Sequence, residues 1–162
     1  MKKYIIWILC ISLLFPLLGC QKQPDLAKLV TFYYQALNNS YEAESAAIQS
    51  ETREGKDLTD LQQIFTSYLQ GPASDALTSP FPAGLRLISY EWHLNNLYLT
   101  FSDQLGDLNG LDLTIACCCI ALTCLEVTEA NKVCISAEHA LLGGEKTIIL
   151  SPEEILLLDL VQ

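Results

Sequence analysis

Positive charge is scarce in this sequence. Nine lysines and arginines stand against 19 aspartates and glutamates, a formal charge of -10 over 162 residues. Removing residues 1–19 takes away Lys2 and Lys3 and no acid, which leaves -12 on the remainder. That deficit excludes nucleic acid, whose binding rests on lysine and arginine contacts to phosphate. It also excludes attachment to anionic lipid or wall polymers by charge. Histidine is limited to His93 and His139, and neither is bracketed by a serine elbow or a cysteine nucleophile signature. Glycine-rich phosphate loops are missing, both the G-x-G-x-x-G form and the P-loop. No C-x-x-C pair repeats at zinc spacing. Internal repeats and low-complexity segments are missing too. No catalytic, cofactor-binding or metal-ligating residue is assigned, and the chain reads as a non-enzyme without a cofactor.

What is present begins with a targeting segment. Lys2-Lys3 is a positive n-region and Tyr4 to Leu18 an apolar h-region. Those 15 residues fall short of the roughly 20 that a membrane span needs. Leu17-Leu18-Gly19-Cys20 then resembles a bacterial lipobox. The resemblance implies cleavage before Cys20 and a diacylglycerol on its thiol. Residues 1–19 are thus read as a lipoprotein signal peptide, 20–26 as a short polar tether carrying the lipidated Cys20, and 27–162 as one domain. The localisation is the cell membrane, lipid-anchored, on the extracytoplasmic face. An ordinary signal peptide or signal anchor with an incidental cysteine is the other reading.

Lys28 to Leu37 holds Val30, Phe32, Tyr33 and Tyr34, residues that suit a strand. Asn38-Asn39-Ser40 is a turn, and Tyr41 to Glu51 returns as a second strand or, by propensity alone, a helix. Asp57 to Leu69 is the clearest helix, with Leu61, Ile64, Phe65, Tyr68 and Leu69 on one stripe and Thr59 with Gln62 as a capping box. Gly71-Pro72 stops it. After the loop Ala73–Gly84, Leu85–Trp92 and Leu97–Phe101 form a hairpin around an Asn95-Asn96 turn. Ser102–Gly110 is a polar loop. Leu111 to Leu125 is a helix apolar nearly all round, so it is buried on most sides or meets a partner. Asn131–Glu138 alternates as a strand. Gly143-Gly144 turns the chain, Thr147–Leu150 is extended, and Ser151-Pro152-Glu153-Glu154 opens a last helical turn or two.

Three pieces of this pattern carry a family resemblance. They are the helix ending Leu69-Gln70-Gly71-Pro72, the approach Ser79-Pro80-Phe81-Pro82-Ala83-Gly84-Leu85-Arg86-Leu87, and the return strand Leu97-Tyr98-Leu99-Thr100-Phe101-Ser102. Their order and spacing resemble the GerMN domain of sporulation and spore-germination proteins, and the resemblance extends more weakly over residues 28–158. It implies an α+β fold: a mainly antiparallel sheet of about five strands with two helices, 59–70 and 111–125, packed on one face. The implied order is strand, strand, helix, strand, strand, helix, strand, as in the ring-building folds of spore-forming bacteria. It favours strand over helix for 41–51. It also implies a protein-interaction or ligand-binding module, with an envelope protein partner, possible self-association, and a link to sporulation or germination. The exposed sheet face and the strand edges are the candidate surfaces.

The remaining chemistry is ambiguous in sequence. Cys117, Cys118, Cys119, Cys124 and Cys134 read as buried free thiols, as one disulfide such as Cys124–Cys134, or as a metal or redox cluster. Neighbouring helical residues point about 100° apart, so the triplet cannot converge on one metal while it stays helical. Asp103, Asp107 and Asn109 have calcium-loop chemistry but not EF-hand spacing. An envelope hydrolase using an unrecognised carboxylate pair is the alternative function. Such a pair needs only to be close in space.

Overall fold

The computed structural model describes residues 29–37, 47–55 and 60–159, with side chains through Ile155. The signal peptide, the tether, Cys20, the Asn38–Ser40 turn and Thr59 lie outside them. The elements in order are strands β1 (Leu29–Ala36) and β2 (Ile48–Glu54), helix α1 (Leu61–Tyr68), and strands β3 (Leu77–Thr78), β4 (Leu87–His93) and β5 (Asn96–Phe101). A short 3-10 helix, Asp103–Asp107, follows. Then come helix α2 (Gly110–Val127), strands β6 (Lys132–Ala137) and β7 (Ile148–Leu150), and helix α3 (Pro152–Asp159). The α+β class and the order of the main elements match the reading from sequence.

The strands form two sheets rather than one: β2-β1-β3, and β4-β5-β6-β7. The main chain of β1 shows why. Its alternate groups face β2, as where the Ala36 N–H donates to the Ala47 carbonyl. The others face β3, which pairs only with Gln35 and Ala36. One step back along that side, the Tyr33 N–H donates to Thr123 Oγ1 at 3.1 Å, and its carbonyl accepts from the Tyr68 hydroxyl at 2.5 Å. Buried main-chain groups must be paired. Here side chains of α1 and α2 pair them, and no strand of the second sheet can join that edge. In the second sheet, β5 and β6 are parallel because α2 lies between them in sequence. A parallel pair needs a long crossover, so the sheet is mixed rather than antiparallel throughout.

Both sheets close on α2. Cys117, Cys118 and Cys119 sample some 200° of the helix circumference, and all three are buried. The helix is 18 residues long and apolar enough to cross a membrane by composition, but Leu113 and residues 115–121 are buried inside the domain. It is therefore a core helix. α1 buries the predicted stripe Leu61, Ile64, Phe65 and Tyr68. Beside it, Tyr68 stacks on Phe32 with centroids 5.2 Å apart and meets Phe81 edge-on at 4.9 Å.

Three local readings shift. The N-cap of α1 is Asp60, whose carboxylate accepts from the Gln63 N–H at 2.9 Å, and Gln62 reaches across to donate to the Leu87 carbonyl at 3.0 Å. The return strand β2 starts at Ile48 and runs to Glu54, later than Tyr41–Glu51. The hairpin turn is Leu94-Asn95, with Asn96 already paired to His93.

The polar loop after β5 contains the 3-10 helix, and Gly106 sits where that helix touches the segment after β6. A Cβ at Gly106 would lie 2.5 Å from the Ala140 Cβ, and backbone-attached carbons cannot swing away. Gly106→Ala is expected to lower stability by about 1–3 kcal/mol, the usual cost of overpacking. An unchanged urea midpoint would refute this contact.

Candidate functional site

The reactive side chains are assigned to packing. None of the five described cysteines is in a disulfide, and all are buried. Cys124 and Cys134 are therefore thiols, not a bridge. Burial, then the neighbouring Cys118, pushes the Cys117 thiol up to about 12. Burial also pushes up the Cys119 and Cys124 thiols. The thiolate is the form that attacks or ligates, and burial disfavours it here. Among the described residues, no group of three His, Cys, Asp or Glu side chains could hold a metal ion.

Among the described carboxylates, three have shifted pKa values, and all three are shifted down. Burial acts to raise Glu51, but the Arg53 guanidinium and the Ala73 and Ser74 amides outweigh it. Those amides donate to Glu51 Oε2 at 2.9 and 2.8 Å. Arg53 Nη2 also donates to the Gly71 carbonyl at 2.6 Å and to the Tyr34 hydroxyl at 3.1 Å. Glu51 and Arg53 alternate along β2 and together fasten the loop that follows α1. Asp103 is held down by the His139 and Ala140 amides, which donate to Oδ1 at 2.7 and 3.0 Å. It thus clamps the segment after β6, within a 3-10 helix rather than a cation loop. Glu154 accepts from the Ser151 amide and hydroxyl at the start of α3. A glycosidase acid needs a raised pKa, and these three carboxylates have the opposite shift.

The histidines are exposed. His139 Nδ1 lies 3.2 Å from Asp103 Oδ2, and His93 Nε2 lies 3.3 Å from Glu91 Oε2.

The unused chemistry lies on the second sheet. Register places Ser89, Glu91 and His93 of β4 on one face with Thr100, Tyr98 and Asn96 of β5. Cys134 of β6 and Ile149 of β7 continue that face. Tyr98 stands opposite Cys134 in the register, and the electrostatic influence of that neighbouring thiol raises the Tyr98 pKa. This is the open face of the sheet. Among the described strands, its outer strand, β4, is paired on one side only. Ile88, Tyr90 and Trp92 are exposed along it. Tyr90 and Trp92 oppose the buried Leu99 and Leu97, so they lie on the core-facing side, where the helices stop short of covering the edge. At the tip, Trp92, Leu94 and Asn95 line an open concavity of about 430 Å³ with Val127, Thr128 and Glu129 from the end of α2.

Sequence reading found this strand but not its tip, because Asn95-Asn96 is the stronger turn signal by composition. The residue before it carries no turn signal. Two-residue hairpins place glycine, asparagine or aspartate in left-handed positions, and a leucine there is out of pattern.

Comparison with known proteins agrees with this architecture. The family model described as Germane, sporulation and spore germination, matches residues 31–142. No curated protein matches the chain. Among solved structures, the tandem GerMN domains of the sporulation protein GerM from Bacillus subtilis superpose with a TM-score of 0.52 at 17% identity. That match covers 74% of this chain and 43% of the other, so the present chain spans less than half of the tandem structure. A 2.5 Å crystal structure described as a candidate lipoprotein from Clostridium perfringens has a TM-score of 0.49 at 17% identity, covering 78% of this chain and 89% of that one.

Proposed function

The chain belongs to the Germane family of sporulation and spore-germination domains, and on that premise we propose that it is a non-enzymatic envelope lipoprotein. Its single GerMN-like domain, residues 27–162, is held to the extracytoplasmic face of the membrane by a diacylglycerol on Cys20. Residues 1–19 are removed, and 20–26 act as the tether. The domain recruits an envelope protein, and a role in sporulation or germination follows from the family.

The observation that carries the non-enzymatic reading is how the reactive groups are used. The described thiols are buried, and the carboxylates with shifted pKa values are engaged by main-chain amides. What the domain leaves available is surface: the open face of the second sheet and the unpaired edge of β4. An exposed strand edge binds by strand addition, where main-chain hydrogen bonds supply affinity and side-chain pockets supply choice.

The anchor is tested by intact mass of the membrane-extracted protein. A chain beginning at Cys20 with a diacylglycerol-sized increment is expected, and Cys20→Ala should abolish both the increment and the membrane fraction. A soluble, unmodified wild-type chain would end this reading.

A further inference from the structure

The tip of the β4–β5 hairpin is built at a conformational cost that no packing among the described residues offsets. The loop has two residues, Leu94 and Asn95. Leu94 has φ 56, and Asn95 is not among the positive-φ residues. That φ pattern belongs to the II′ turn, whose first central position favours glycine. A leucine there is strained. It is also 96% exposed, so its side chain gains almost no burial in exchange. Trp92, on the same concavity, is 45% exposed.

The position of this tip follows from how β1 crosses α2. Gln35 lines one concavity with Asp112, near the start of α2. Tyr33 bonds Thr123, near its end. The two elements therefore run in opposite senses, and Leu29, at the start of β1, points toward the C-terminal end of α2. Val127, Thr128 and Glu129 at that end share the concavity with Trp92 and Leu94. Leu29 is itself 66% exposed. Residues 21–28 separate Leu29 from Cys20, a reach of at most about 30 Å when fully extended. One end of the domain thus presents Leu29, Trp92 and Leu94, and the chain leaves for Cys20 from that end.

We propose that the Leu94–Trp92 hairpin tip enters the interfacial layer of the membrane to which Cys20 is anchored, giving the domain a second point of contact and a fixed orientation. The inference rests on the lipid anchor proposed above. Tryptophan suits the bilayer interface because its ring is apolar and its N–H is polar. The contact is apolar rather than electrostatic. Glu129 and Lys132 of opposite charge both lie beside the tip, Glu54 pairs opposite Leu29, and the chain from Cys20 onward carries -12. The surface recognised is therefore zwitterionic lipid. A lipid chain alone leaves a protein free to tumble about its tether, whereas a second contact holds the β4 edge in one presentation.

The sequence supplies its own probe. Trp7 lies in the leader, so the chain from Cys20 onward has Trp92 as its one tryptophan. The protein would be expressed with its leader, extracted from membranes and reconstituted in phosphatidylcholine vesicles with brominated acyl chains. Trp92 emission is expected to be blue-shifted and quenched. Leu94→Asp and Leu94→Gly should each lose the quenching while the protein still floats with the vesicles, and Leu94→Gly should unfold at an unchanged or higher urea concentration. A protein that floats with Trp92 unquenched overturns the tip contact and leaves the anchor intact. A protein that lacks the lipid increment and does not float overturns the anchor and the tip contact with it. A blue shift that needs no lipid and grows with protein concentration would mean that a second copy covers the tip, and would also overturn the proposal.

Discussion

Tyr68→Phe is expected to lower stability by about 1–2 kcal/mol, the lower part of the cost of leaving an acceptor unpaired, because Tyr33 is only half-buried, although it removes a single oxygen. The Tyr33 carbonyl then loses the hydroxyl that bonds it at 2.5 Å, and among the described strands β3 stops at Gln35 and none pairs Tyr33 on that side. Tyr68→Ala adds a cavity beneath Phe32, Phe65 and Phe81. Large-to-small changes at buried aromatics cost about 3–5 kcal/mol, against a total of roughly 5–15 kcal/mol for an ordinary domain. The alanine variant should therefore be largely unfolded at 37 °C. Thr123→Val is the companion. It keeps the volume but withdraws the acceptor from the Tyr33 N–H, and it should cost about as much as the Phe variant. Urea unfolding with a fixed m-value checks all three. If Tyr68→Phe and Thr123→Val unfolded with the wild type, side-chain closure of the β1 edge would be the wrong account of why the sheet divides.

Arg53→Met is the second large effect. The guanidinium lies over Phe32 and Tyr34, with its centre 5.1 and 5.6 Å from their ring centroids, and its charge pairs with Glu51. Their side chains are only 21% and 12% exposed. Removing one partner of a buried pair costs about 3–5 kcal/mol, and partial exposure reduces that to about 2–4 kcal/mol. The pH dependence separates the pair from simple packing. In the folded protein the Glu51 pKa is held below its ordinary 4.5. Its contribution is therefore fully present above pH 4.5 and is lost as pH falls through the lower folded value. Without Arg53, burial acts against fewer hydrogen bonds and the depression shrinks. The wild type should lose stability on acidification more steeply than Arg53→Met, so the two unfolding curves converge toward low pH. Parallel curves would show that Arg53 acts through its stem rather than its charge. Asp103 and Glu154 are depressed in the same direction, and they contribute equally to both proteins.

Much of this molecule was legible one element at a time. The stripe of α1, the stop at Gly71-Pro72, the alternation of β5 and the opening of α3 at Ser151-Pro152 are local patterns, set by helical and strand periods and by residues that stop or start a helix. The features on residues 69–101 were enough to name the family that the later match covers at 31–142. The hairpin turn was misplaced by one residue because Asn95-Asn96 is the better turn dipeptide, and the fold puts the strain on Leu94 instead.

The sequence by itself determined the α+β class, the order of the main strands and helices, and a resemblance to the GerMN domain. It could not determine the division into two sheets, because that depends on Thr123 and Tyr68 satisfying one residue 90 and 35 positions away. It left the cysteines open for the same reason. Burial on three sides of α2 is a property of the two sheets that close on it, and periodicity cannot report which neighbours arrive. That Leu29, Trp92 and Leu94 lie toward one end was likewise decided only by tertiary structure, through the opposed directions of β1 and α2. Local propensity acts over a few residues, whereas the pairing of buried main-chain groups and the covering of apolar faces are settled between segments far apart in the chain.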